Sequence, residues 1–252
     1  MVRHFKLVLA YDGADFRGWQ VQPGLPTIQG HLAEAIRGVT GDEVLPQGSG
    51  RTDAGVHALG QVVSVAISSP IPAAGLLIAL NDVLPRSIRV LSATEVGPDF
   101  HARKSARGKT YTYRIYRGNI CPPFLSRYIC HHPYPLDERA MICAAREVEG
   151  EHDFTSFAAV DPERRREDEQ VCNVRTIHSS VWERLGEELV YTVQGSGFLQ
   201  HMVRNLVGTF LLVGKGTIRP AEIRRIIESR SRSANPGATA PANGLYLVEV
   251  EY

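Results

Sequence analysis

Cysteine is scarce in this chain: there are four among 252 residues, at positions 121, 130, 143 and 172, and no two stand at CxxC spacing. That argues against a zinc ribbon and against a dithiol redox site, and four reduced thiols are expected. Cys130-His131-His132 comes nearest to a ligand cluster, but adjacent residues seldom converge on one ion, so no metal is assigned. Long apolar runs are missing too. Nothing approaches the roughly 20 residues that cross a bilayer, and residues 1–6 lead into a strand without a signal-peptide core, so no membrane partner and a cytoplasmic location are expected. There is no GxGxxG fingerprint and no P-loop, the usual sequence signs of a nucleotide cofactor. A dominant charge sign is also lacking, since 28 Lys and Arg face 27 Asp and Glu for a net charge of +1. Any nucleic-acid binding must therefore come from where the charge sits.

Locally, the charge is uneven. Arg103, Lys104, Arg107, Lys109, Arg114 and Arg117 follow one another without an Asp or Glu, and Tyr111, Tyr113 and Tyr116 interleave with them. Cations for phosphate and aromatic faces for bases are what recognition of unpaired RNA requires. On period two, Tyr111, Tyr113 and Ile115 share one strand face and Thr112, Arg114 and Tyr116 the other, which predicts one buried and one wet face. A second concentration of chemistry is Gly50-Arg51-Thr52-Asp53-Ala54-Gly55-Val56-His57-Ala58. A carboxylate beside an arginine stays ionised and can serve as nucleophile, base or ligand. Asp and Gly also recur in tight turns for backbone reasons, so a plain turn Asp53 is the competing reading. His57, between Val56 and Ala58, reads as a core histidine and is given no catalytic role.

The periodicities predict strands near 3–11, 42–46, 60–67 and 88–96 and helices over 28–39 and 73–83 in the first half. The second half reads as a strand near 109–117, a helix near 137–149, a hairpin over 174–194 turning at Gly186, helices near 199–213 and 220–229, and a last strand at 245–252. Two βαββαβ units of an α+β protein follow, RRM-like or ferredoxin-like, over residues 1–105 and 106–252. An extended antiparallel sheet is expected to join them, with a cleft between for a ligand. Leu199, Met202, Val203, Leu206, Val207 and Phe210 form the buried stripe of the 199–213 helix. Arg204 lies off that stripe and by itself reads as a surface arginine.

The nonapeptide at 50–58 resembles the active-site motif of the tRNA pseudouridine synthases that act on the anticodon arm. Ordered matches extend the resemblance along nearly the whole chain: residues 9–13, 16–20 and 27–30, then Phe100-His101-Ala102-Arg103, 109–114 and 152–157, then 197–199, Met202-Val203-Arg204-Asn205 and 240–246. The charged loop 161–169, with Arg164-Arg165-Arg166, departs from the expected pattern. The resemblance implies that Asp53, in the cleft, attacks the target uridine, and that Arg204 holds that carboxylate by a charge-assisted hydrogen bond. It further implies that Tyr111 is the active-site tyrosine, that Leu245 walls the target base, and that the protein is a homodimer acting on tRNA. Arg51 and Arg103 are expected to meet RNA phosphate. The isomerisation adds and removes nothing, so no cofactor is expected. Against this stand an enzyme of the same family acting on another RNA, since the sequence does not reveal which uridines are reached, and a non-catalytic RRM-like RNA-binding protein, which the strand and helix pattern alone permits but which has no use for an Asp–Arg pair. His152-Asp153-Phe154-Thr155-Ser156-Phe157 reads as a helix stop with aromatic packing, without catalytic function.

Overall fold

Alternation in Arg3–Tyr11 sends Phe5, Leu7, Leu9 and Tyr11 to one face, and these residues form strand β1 with that face buried. A computed structural model describes residues 2–159 and 172–252; the Arg164–Arg166 segment lies outside them. Helix α1 (Ile28–Thr40) starts where Thr27 Oγ1 accepts the Gly30 N–H and stops at Gly41, whose φ of 78° suits a residue without Cβ. β2 (Gln47–Gly48), β3 (His57–Ile67), α2 (Ala73–Val83) and β4 (Ile88–Val96) follow. β3 and β4 flank β1, both antiparallel to it. Phe5, Leu7, Leu9, Leu32, Ile36, Val63, Leu80 and Ile88 make the core here, each buried apolar side chain contributing about 1.5–3 kcal/mol.

The strand expected at 42–46 does not form. Pro46 has no N–H to give a ladder, so pairing with β3 begins only at Gln47, and Asp42 instead accepts the Ser68 and Ser69 N–H groups.

A second unit comprises residues 108–245, while 1–107 and Tyr246–Tyr252 form the first. The final strand from Tyr246 counts with the first unit, where it pairs in parallel with β3 through Tyr246 and Leu247. The second unit contains β5 (Gly108–Tyr116), β6 (Cys130–His131), α3 (Glu138–Arg146), β7 (Gly150–Asp153), β8 (Val174–Leu185), β9 (Glu188–Gly195), α4 (Met202–Gly214) and α5 (Glu222–Glu228), and β10 runs over Leu245–Glu251. β5, β9, β8 and β7 are successive antiparallel neighbours, β8 and β9 forming the expected hairpin at Gly186. The short strands β6 and β7 carry too few residues to show a period. The protein is therefore a mixed α+β molecule whose strands run mostly antiparallel.

α4 begins three residues later than the apolar stripe suggests, because His201 takes a left-handed φ of 59° and ends the preceding turn; Leu199 is buried from that turn. Polar groups pin α4 to segment 235–240. Asn205 donates to Phe157 O and accepts from Thr239 Oγ1, and Thr209 donates to its own turn and to Asn235. Both are buried, so each bond offsets a desolvation cost that would otherwise stand alone.

Candidate active site

In the first unit, Asp53 lies half-buried on the loop between β2 and β3, which the 16–19 segment grips from one side. Trp19 N–H donates to Thr52 O at 3.0 Å and Gly55 N–H to Phe16 O at 3.3 Å. Such a fit needs glycine at 18, since its φ is +93° and a Cβ there would stand 2.7 Å from Thr52 O and 3.2 Å from the Asp53 carbonyl carbon. Asp53 O accepts the Val56 N–H at 3.1 Å, and Gly55 between them has φ +79°. Asp53 thus does open a glycine turn. The turn and the chemical reading are compatible, because the turn occupies the backbone carbonyl and the carboxylate is a separate group. Arg51 is exposed beside it.

Behind the loop is a buried polar set. Tyr11 Oη meets Thr52 Oγ1 at 2.9 Å, Gln61 Nε2 donates to Gly50 O at 2.9 Å and to Tyr11 Oη at 3.4 Å, and Ser49 Oγ donates to Gln61 Oε1 at 2.7 Å. Burial pushes the Tyr11 pKa up to about 12, against the bonds to Thr52 and Gln61, so the hydroxyl keeps its proton at neutral pH. His57 is buried as expected. Its Nδ1 lies 3.1 Å from the Gly13 N–H and 3.2 Å from Asp12 Oδ1, and its ring stacks on Tyr246 at 4.8 Å. Asp12-Gly13 is thus tied to the end of the 50–58 segment.

In the second unit, Tyr111 is buried on β5 with its ring edge-on to Phe198 at 5.1 Å. Arg204 and Leu245 meet through the 240–245 turn. Arg204 Nε donates to Ala240 O at 2.8 Å and Ala240 N–H to Arg204 O at 3.1 Å, so the arginine is no surface residue but half-buried against this turn. Asn243 Nδ2 donates to Ser126 O and Ile129 O, both at 2.9 Å, and Leu245 is buried where the turn passes into β10. Tyr113, which the sequence leaves without a role, fastens the same turn: its Oη donates to Pro241 O at 2.8 Å. A Cβ on Gly244 would press on its ring at 2.8 Å. Burial raises the Tyr113 pKa far above the ordinary phenol range, with the Cys130 sulfur adding to it.

The basic run divides in two. Arg103, Lys104 and Arg107 are exposed, with the Arg103 N–H turned to His101 Nδ1. Arg114 instead forms a bidentate pair with Glu188 at 2.7 and 2.8 Å, and Arg117 donates to the carbonyls of His132 and Tyr134. Only the first part of the run therefore resembles a phosphate surface. Tyr111, Tyr113 and Ile115 do share the buried face of β5. At 152–157, Asp153 Oδ1 caps Thr155 through its N–H and hydroxyl, and Phe154 and Phe157 are buried, so the aromatic packing its sequence suggests is present, but the segment stops no helix: α3 already ends at Arg146, residues 150–153 form β7 and Thr155–Phe157 a single 3₁₀ turn.

These features define an α+β protein that displays one carboxylate on a glycine-braced loop, with an arginine-held turn in its second unit. Comparison with known proteins narrows the class. The chain matches the tRNA pseudouridine synthase family over residues 7–103 and 144–252. It is 53% identical over 251 residues to the tRNA pseudouridine synthase A of Solibacter usitatus, covering 100% of both chains. The protein of that name from Moorella thermoacetica is 45% identical with 98% of each chain covered, and that from Lacticaseibacillus casei 44% with 99% of each. The chain belongs to the tRNA pseudouridine synthase family.

Proposed function

We propose that this protein converts uridine to pseudouridine in the anticodon arm of tRNA. The carrying observation is the Asp53 loop, braced by the motif residues at 11–20, in a chain whose full-length relatives bear the name tRNA pseudouridine synthase A. The reaction breaks the bond from the sugar to nitrogen, turns the detached uracil and joins it through carbon. Attack of a carboxylate on the sugar carbon, attack on the base ring, and assisted elimination to a glycal all need one acidic side chain at the site, and Asp53 supplies it. Arg204 holds the carboxylate through planar donors that suit it better than a lysine would. Tyr111 contacts the uracil with ring and hydroxyl, and Leu245 excludes water from it. Because the base must leave its stack at a cost of a few kcal/mol, contacts of Arg51 and Arg103 with phosphate offset the extrusion. RRM-like units, a homodimer that spans the RNA arm and a cytoplasmic location complete this reading.

The test is release of the carbon-5 hydrogen from an unmodified tRNA transcript, with pseudouridines mapped afterwards. Asp53→Asn, nearly isosteric and uncharged, should bind the transcript within a few fold and form no pseudouridine. Turnover by the purified variant would remove Asp53 from the mechanism, and binding without turnover by the unaltered protein would favour a non-catalytic RNA-binding module.

A further inference from the structure

Gln61 links the buried set behind the Asp53 loop into one hydrogen-bonded chain. The Gln61 amide nitrogen faces Gly50 O, which can only accept, so the nitrogen side is fixed and Oε1 must face Ser49, whose hydroxyl donates to it. The second amide hydrogen goes to Tyr11 Oη at 3.4 Å, and Tyr11 Oη shares a 2.9 Å hydrogen bond with Thr52 Oγ1 in which either hydroxyl can donate. One hydrogen-bonded chain therefore joins Ser49, Gln61, Tyr11 and Thr52. Ser49 and Gln61 are fully buried, Tyr11 and Thr52 nearly so, and none of the four is one of the residues already assigned to the reaction. The chain touches the loop at Ser49, Gly50 and Thr52, on both sides of Arg51 and up to the residue before Asp53. A second grip on Thr52 comes from Trp19 N–H at its carbonyl.

We infer that the Ser49–Gln61–Tyr11–Thr52 chain is the positioning device of the active-site loop: Tyr11 and Gln61 act through Thr52 to hold the Asp53 carboxylate where the reacting uridine needs it, without touching the RNA themselves. The inference rests on the reading of Asp53 as the reacting acid. A loop of this kind carries few apolar contacts of its own, so its geometry depends on such bonds. Removing the Tyr11 hydroxyl breaks the bonds to Gln61 and Thr52 at once, whereas the ring still fills its place in the core.

Tyr11→Phe, Thr52→Val, Thr52→Ser and Asp53→Asn are compared under single turnover with an unmodified tRNA transcript, rates being normalised to RNA-binding sites. Tyr11→Phe and Thr52→Val should each lower the rate about 10- to 100-fold, the scale of a misplacement of about 1 Å, with tRNA affinity unchanged within threefold. Thr52→Ser, which keeps the hydroxyl, should restore most of the rate. A merely structural role predicts a lower melting temperature with the rate per binding site unchanged; that result, or equal loss in Thr52→Ser and Thr52→Val, would overturn the inference. An active Asp53→Asn would instead overturn the reading on which it rests. An inactive Asp53→Asn beside fully active Tyr11→Phe and Thr52→Val would leave that reading standing and discard the positioning chain.

Discussion

Gly18→Ala is the smallest change that reaches Asp53 without altering a polar group. The added methyl carbon would stand 2.7 Å from Thr52 O, where ordinary contact begins near 3.4 Å, so the 52–54 backbone must retreat by about 0.7 Å or the 16–19 segment must open. Residue 18 also has φ +93°, a conformation that costs a residue with a side chain about 1–3 kcal/mol. Reduced freedom of alanine in the unfolded chain returns about 0.4–1 kcal/mol. A net loss of about 1–2 kcal/mol corresponds to roughly 2–8 °C in melting temperature for a chain of this size. Single-turnover rate should fall about 10- to 100-fold, because the displaced backbone carries the carboxylate. Gly24→Ala separates the two effects: residue 24 has φ +71° but open space around its Cβ position. It should show the thermal loss alone. The assay is hydrogen release from uridine-labelled tRNA beside calorimetric melting. Equal rates for Gly18→Ala and Gly24→Ala would refute the argument that the 16–19 segment sets the position of Asp53.

Much of this was readable from local pattern. α1 follows from Thr27, the 3.6-residue stripe and Gly41, and β1 from strict alternation over Phe5, Leu7, Leu9 and Tyr11. The motif at 50–58 points to Asp53 because its residue types carry the chemistry in one stretch. What escaped depends on partners far along the chain. No local signal joins Tyr113 to Pro241, 128 positions on, or tells that Arg114 faces Glu188 rather than solvent, since that follows from the register of β5 with β9. Gln61 did leave a trace, as an amide directly before the apolar pair Val62 and Val63 in a strand that is mostly apolar. A buried amide must find partners, and the nearest loop with carbonyls to satisfy it is the one that bears Asp53. The short β2 and the left-handed His201 are set by tertiary context, Pro46 and the turn before α4, that period alone does not reveal.

Charge reversal at Arg103 or Lys104, both exposed, should weaken tRNA binding and reduce the slope of log affinity against log salt by about one for each phosphate no longer neutralised. An unchanged slope, measured by filter binding from low to physiological salt, would take the 100–107 segment out of the RNA surface. Tyr111 and Tyr113 lie on the same face of β5, both buried, and the same substitution should separate them. In Tyr111→Phe the ring stays packed on Phe198 and only the hydroxyl goes. If that hydroxyl serves the reacting base, single-turnover rate falls on the order of 10²–10⁴-fold with tRNA affinity preserved. In Tyr113→Phe the Pro241 carbonyl is deprived of the hydroxyl that donates to it, so about 1–3 kcal/mol of stability should go. The rate at temperatures well below melting should stay within a few fold. A Tyr111→Phe protein that melts early but reacts at full rate would make Tyr111 a core residue like its neighbour, and would move the assignment of base contacts to other residues of the second unit.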